Sequence, residues 1–358
     1  MTGGGRAGAF GALAGLVAVG AAAGLAAERV AVGRARLAPD PDVDEPYFAL
    51  PADRVREVRS DDGLALHVEV LDPTPGTTAP TVVFAHGWTQ QLAVWHYQRQ
   101  ALPDDYPGRL VFYDQRSHGR SGRSPHDHAT IDQLGRDLLA VLDACVPRGP
   151  VVLVGHSMGG MTIMALADQH PELFGRRIVG VVLMSTSTGM LAHATFGLPG
   201  LIKPVSRRVL PLVTRGVRSR PKLIERGRRF GTDLTFVLSR RLAFGSTDVS
   251  PSLVEFVEQM TAACPVDVIA EFYDTFAGHD KLAALAVLKK VPTMILVGSR
   301  DKITPAAHSE VMAKALPSAE LVVVEGAGHM VQLERAALVT LHLRALLARS
   351  SARGARTA

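Results

Sequence analysis

The chain has 358 residues, 47% of them hydrophobic, enough to bury a large core as one big domain with an insertion. Its formal net charge is +5, aromatics are only 5%, and no basic patch is interleaved with aromatic residues, which argues against nucleic acid as a partner. Two cysteines, Cys145 and Cys264, stand far apart with neither metal-ligand nor redox spacing; they read as two buried thiols, with a single disulfide left open.

Residues 1–36 form the first segment. Its run at 9–27, AFGALAGLVAVGAAAGLAA, is uncharged and approaches the ~20 residues that span a bilayer. Three readings compete: a signal-anchor, which is favoured, a cleaved signal peptide with small residues around Ala23 to Ala27, and a buried or disordered helix. Arg29, Arg34 and Arg36 follow the run and only Arg6 precedes it. The expectation is therefore a membrane-associated protein with a transmembrane helix and a cytoplasmic catalytic domain, secretion after signal cleavage being the alternative. An acidic, Pro-rich linker is expected over 37–51, with PDPDVDEPYF at 39–48.

Beyond it, Val55–Arg59 and Leu64–Leu71 alternate like an edge hairpin. Short apolar runs follow at 82–85, 110–113, 151–154, 181–184, 294–297 and 321–324. Their Val-rich, uninterrupted character predicts strands covered on both faces. Helical patterns lie between them. Thr130 and Gln133 make a capping box ahead of Ile131, Leu134, Leu138 and Leu142 on one face, and Thr304-Pro305 opens another helix. Alternating strand and helix implies an α/β fold, a mostly parallel sheet with helices on both faces.

Between the strand near Ser185 and the one near Thr293, about a hundred residues break this rhythm with helix-like stretches and no strong strand pair. They predict a helical cap inserted over 189–288, between a first core part at 52–188 and a second at 289–348, with a disordered tail at 349–358. The window 203–241 holds twelve Lys or Arg and two acids, Glu225 and Asp233. It reads first as a solvated face and second as a contact with an anionic membrane surface. Apolar cap residues such as Leu191, Phe196, Leu198, Leu201, Ile202, Leu210, Leu212, Phe236, Phe244 and Phe256 suggest an acyl or otherwise hydrophobic substrate, and for any single one the cap's own core is the safer reading.

The chemistry concentrates at VVLVGHSMGG, 151–160. A buried strand enters Gly155-His156-Ser157-Met158-Gly159 and a helix continues from it, which is the strand–turn–helix context a Gly-x-Ser-x-Gly nucleophile needs. Ser157 is thereby held at the sheet's C-terminal edge, facing a helix N-terminus that stabilises developing negative charge.

On these residues the chain resembles the α/β-hydrolase family over about 52–348, which implies an eight-stranded sheet with an inserted helical cap. His86-Gly87-Trp88 is similar to the family's oxyanion loop, implying the backbone N–H groups of Trp88 and Met158 as donors. Asp114-Gln115-Arg116-Ser117-His118-Gly119-Arg120-Ser121 resembles a structural turn of the family, with Ser117 where a Gly is usual; a positive φ there would strain Ser. Val297-Gly298-Ser299-Arg300-Asp301 matches the acid loop and Glu325-Gly326-Ala327-Gly328-His329 the base loop, in the chain order Ser…Asp…His that this fold uses. His86, His118 and His156 read as structural.

The resemblance implies a serine hydrolase in which His329 deprotonates Ser157, Ser157 attacks a carbonyl and Asp301 fixes the imidazole tautomer. It implies no metal and no cofactor, and a small hydrophobic ester as substrate. A serine rather than an aspartate nucleophile argues against dehalogenase or epoxide-hydrolase chemistry. Trp88 and Met158 also resemble their counterparts in cofactor-free haloperoxidases, the alternative activity. A non-enzymatic scaffold is the third reading, and the complete trio argues against it.

Overall fold

The computed structural model describes residue 33, residues 39–189 and residues 240–357. Eight strands form one sheet: β1 (Arg54–Arg59), β2 (Ala65–Leu71), β3 (Thr81–Ala85), β4 (Leu110–Tyr113), β5 (Val151–His156), β6 (Ile178–Met184), β7 (Thr293–Gly298) and β8 (Glu320–Val324). Their spatial order is β1-β2-β4-β3-β5-β6-β7-β8. β1 and β2 form the expected antiparallel hairpin, β2 runs antiparallel to β4, and all remaining pairs are parallel.

β3 to β7 are buried along their whole length. Successive residues divide between two apolar layers, as the two-residue period of a strand requires. Val83, Leu153, Val181 and Ile295 pack with helices α2 (Ile131–Cys145) and α3 (Met158–Gln169) on one side, whereas Val82, Val152, Val182 and Leu296 face the opposite layer, together with Leu102 at the end of helix α1 (His96–Ala101). β8 departs from expectation. Leu321 and Val323 are 36% and 47% exposed, because β8 is the last strand and only one of its faces is covered.

Helix α2 begins as its sequence requires. Thr130 Oγ1 accepts the Gln133 N–H at 3.1 Å, and Ile131, Leu134, Leu138 and Leu142 are all buried. The capping box is only half made, since the Gln133 side chain donates to Asp61 at 2.6 Å instead of turning back to Thr130. The turn after β4 is tied to the frame by a buried ion cluster. Arg116 donates to both Asp137 oxygens at 2.6 Å and to Asp62 at 2.9 Å. Ser117 does have a positive φ, 65°, and its Oγ accepts the Ser124 N–H at 2.9 Å.

Between β6 and β7 the described residues contribute helices α4 (Pro251–Ala263), α5 (Val266–Ala277) and α6 (Leu285–Leu288). Phe244 and Phe256 are core residues, 2% and 1% exposed. The other apolar residues named above for this interval, and its basic window from 203 to 239, lie outside the described residues.

The segment expected as a linker is a strap. Asp40 accepts the Ser252 N–H and Oγ–H at 3.0 and 2.7 Å at the start of α4, Asp42 accepts from Ser250 Oγ, and Tyr47 stacks on Phe256 with centroids 4.3 Å apart. Its acids serve a helix N-terminus, where negative charge is stabilised. The remaining helices are α7 (Ala306–Ala315), α8 (Val331–Glu334) and α9 (Ala336–Thr357). α9 runs through most of the tail expected to be disordered, and its own Ser350, within that tail, is buried.

The expectation of a transmembrane helix and of membrane association through the N-terminus is corrected. Among the described residues no helix is long and apolar enough to cross a membrane. α9 has the length, but Arg344 and Arg349 interrupt it. The run 9–27, on which the expectation rested, lies outside the described residues, and its Ala and Gly content gives little insertion energy. Cys145 and Cys264 are both buried.

Candidate active site

The end of β5 passes directly into α3 through Ser157, whose φ of 53° and ψ of −117° are outside the usual regions for a side-chain-bearing residue. Such a conformation costs about 1–3 kcal/mol and persists only where its surroundings enforce it. Here the Ser157 N–H donates to Met184 O at 2.9 Å, and Ser157 O accepts from Thr186 Oγ1 at 2.7 Å and from the Gly160 N–H at 2.9 Å. Close packing completes the enforcement: a Cβ on Gly159 would lie 2.0 Å from Ala85 O. Glycine is therefore what lets α3 rest on the end of β3.

β3 and β5 are parallel neighbours with Ala85 opposite Gly155, so Trp88 and Met158 each stand three residues beyond a paired position. Among the described residues, neither their N–H groups nor Ser157 Oγ has a hydrogen-bond partner. The Met158 N–H is a free donor because it opens a helix. The Trp88 N–H is freed by its tight loop, in which Gly87 donates to Gln90 Oε1 at 3.0 Å and Thr89 has a φ of 61°. The Trp88 ring meets Phe276 edge-on at 5.2 Å and Tyr273 at 6.5 Å, so α5 supplies an aromatic wall beside this loop.

Asp301 follows β7. Its Oδ1 accepts the Ile303 and Thr304 N–H groups, both at 2.9 Å, and its Oδ2 accepts Thr304 Oγ1 at 3.0 Å and His329 Nδ1 at 2.9 Å. Burial raises its pKa, but the His329 charge and these hydrogen bonds outweigh that and leave it below the ordinary carboxylate value. The carboxylate thus stays ionised, and an acceptor opposite Nδ1 assigns the proton to that nitrogen, leaving the His329 Nε2 lone pair free.

The structure brings Asp301 and His329 into direct contact, with exposures of 5% and 4% beside 8% for Ser157. It forms no hydrogen bond between His329 and Ser157, a link that is often long before substrate binds.

Two supporting residues escaped the sequence reading. Thr304 was expected to start a helix; in fact Pro305 occupies the N-cap of α7, and the Thr304 hydroxyl joins Asp301. His156, read as structural, donates from Nε2 to the His329 carbonyl at 2.9 Å, linking the serine turn to the base loop. Burial first, then the His329 charge, pushes His156 down to about 3, so it stays neutral. His86 is also held well below its ordinary value by burial. Its Nδ1 donates to Gly87 O at 2.7 Å and its Nε2 accepts the Gln115 N–H at 2.9 Å, which fixes the loop that presents Trp88. Local sequence carries no signal for the His156–His329 and His86–Gln115 links, since each joins loops far apart in the chain.

A family model described as the alpha/beta hydrolase fold matches residues 80–336. The chain belongs to the α/β-hydrolase family. Among its relatives, an uncharacterized protein of Mycobacterium tuberculosis is 26% identical over 268 residues, 70% of each chain. A 3-oxoadipate enol-lactonase of Acinetobacter baylyi is 26% identical, covering 72% of this chain and 84% of its own. An sn-1-specific diacylglycerol lipase of Mus musculus is 27% identical, covering 76% and 81%. A solved thermophilic esterase from Thermogutta terrifontis superposes with a TM-score of 0.64 at 25% identity, over 83% of this chain and 99% of its own. A bromoperoxidase from Bacillus anthracis reaches the same TM-score at 20% identity, over 82% and 99%, and shows the fold alone. This α/β-hydrolase enzyme therefore has esterase-type and lactonase-type neighbours.

Proposed function

We propose that this α/β-hydrolase cleaves a carboxylic ester of a small hydrophobic molecule through an acyl-enzyme on Ser157. The observation that carries the reading is the buried Asp301–His329 contact at 2.9 Å, joined through His156 to the turn that holds Ser157 at a positive φ. In this mechanism His329 Nε2 takes the Ser157 proton as Oγ attacks the carbonyl carbon. The Trp88 and Met158 N–H groups receive the oxyanion, and the imidazolium protonates the departing alcohol. Water then repeats the sequence on the acyl-enzyme and restores Ser157, while Asp301 holds the tautomer throughout.

The aromatic wall of Trp88, Phe276 and Tyr273 supports an apolar acyl group. The cap reading of 189–288 completes the site: α5 would be part of the cap, over a core made of 52–188 and 289–348. Peracid chemistry on the same trio is the alternative named from sequence. The bromoperoxidase likeness, at 20% identity, carries no argument for it. Turnover of p-nitrophenyl esters of rising acyl length tests the proposal. Hydrolysis is expected in the wild-type chain and not in Ser157→Ala. Equal turnover by both would remove Ser157 from the mechanism.

A further inference from the structure

The short helix α8 ends on Glu334, five residues after His329. Its carboxylate collects three backbone donors. Oε2 accepts the Gly328 N–H at 2.7 Å and the Gly245 N–H at 3.0 Å, and Oε1 accepts the Ser246 N–H at 2.6 Å. Gly328 immediately precedes His329. Gly245 and Ser246 lie on the other side, in the stretch of chain leading to α4. On the far side of His329, the Met330 N–H donates to Ala243 O at 2.9 Å. Both neighbours of His329 are thus tied to Ala243–Ser246, one directly and one through Glu334.

The two loops touch closely, since a Cβ on Gly328 would lie 2.4 Å from Gly245 N. An ionised carboxylate suits this position because it only accepts, and three N–H groups converge on it. A carboxamide of the same shape keeps one oxygen and turns an N–H₂ against a donor, leaving an N–H unpaired.

The geometry points to Glu334 as a positioning residue of the base. It joins the His329 loop to the segment between β6 and β7, and so sets where Nε2 stands relative to Ser157. Glu334 acts through His329 and not on substrate, and the inference rests on the triad reading proposed above. It also makes the described part of the insertion a support of the catalytic base, so that displacing Gly245–Ser246 displaces His329.

A double-mutant cycle separates this role from a general structural one. Glu334→Gln, His329→Ala and the double variant are assayed on p-nitrophenyl butyrate, with circular dichroism and Tm as folding controls. Because a misplacement of about 1 Å can cost ~10²-fold in rate, Glu334→Gln is expected to lower kcat by about ten- to a hundredfold. KM should stay within about twofold, the pattern of an interaction felt in the transition state. In the His329→Ala background the same change is expected to alter the residual rate by less than about twofold, since the group it positions is gone. Wild-type kcat in Glu334→Gln, or equal losses in both backgrounds, overturns the inference while leaving the triad intact. Wild-type turnover in His329→Ala overturns the triad reading and this inference with it. If Glu334→Gln does not fold, residue-resolved amide hydrogen exchange of the wild-type protein decides. Gly245, Ser246 and Gly328 opening together supports the clamp, and Gly328 exchanging ahead of the other two refutes it.

Discussion

Replacing Asp301 by Asn tests the electrostatic part of the mechanism at a single atom. Asp301 accepts four hydrogen bonds, two from backbone N–H groups on Oδ1 and two on Oδ2, from Thr304 Oγ1 and His329 Nδ1. In Asp301→Asn the remaining oxygen goes to the two backbone donors, which have no other acceptor. The new N–H₂ then faces Nδ1, which must become the acceptor. The imidazole proton moves to Nε2, the atom that has to receive the serine proton. In a well-studied triad this wrong tautomer lowers kcat by about 10⁴-fold, or ~5 kcal/mol of transition-state stabilisation. The fold should survive, since Asn keeps the shape and at least two of the four bonds. The assay is kcat/KM on p-nitrophenyl butyrate at pH 8, with Tm measured on the same preparation. A folded Asp301→Asn enzyme retaining more than a tenth of wild-type kcat/KM would refute the reasoning. The stretch after β6, Ser185-Thr186-Ser187-Thr188-Gly189, holds no carboxylate to take over the role.

Gly159→Ala is expected to destabilise the protein by at least ~2 kcal/mol and to abolish most activity, because its Cβ would meet the Ala85 carbonyl at 2.0 Å. Thermal melting and ester turnover check this, and a variant unchanged in both would contradict the close packing of α3 on β3. Glu69, buried in β2, accepts from Arg99 at 2.5 Å. Burial alone would raise its pKa, but His67 and Arg99 together bring it to about 2, against an ordinary 4.5. A lowered pKa contributes stability that is present above pH 4.5 and lost as pH falls toward 2. Glu69→Gln should therefore cost about 3 kcal/mol or more in urea unfolding at pH 7, with the gap to wild type narrowing between pH 4.5 and 3. A gap that is constant with pH would mean that the carboxylate charge contributes nothing.

The strands were legible because a parallel sheet covered on both faces requires uninterrupted apolar runs, and these stand out against the helices. The same rule over-reached at LVVV, 321–324, where an apolar run became a half-exposed edge strand. A run shows what a strand could bury, not which neighbours it receives. The sites of Ser157, Asp301 and His329 were legible because each ends or follows a strand in a fixed order, and their glycines mark close approaches. His156 and Glu334 were not, since their partners lie in loops brought together only by the folded sheet, and Thr304, three residues from Asp301, read only as a helix start. The acidic segment at 39–48 looked like a linker by composition, yet those acids pair with Ser250, Ser252 and His96. Local composition cannot distinguish a solvated acid from one that caps a distant helix.

The central claim is that Ser157 becomes covalently acylated. Its most direct test is intact mass spectrometry after incubation with a p-nitrophenyl alkylphosphonate, which a serine nucleophile attacks to give a stable adduct with release of p-nitrophenol. The account predicts one phosphonyl group per chain, mapped by peptide sequencing to Ser157 and absent from Ser157→Ala. It also predicts that ester turnover falls in proportion to labelling. Labelling at another residue, or full ester turnover in a chain fully labelled at Ser157, would contradict it.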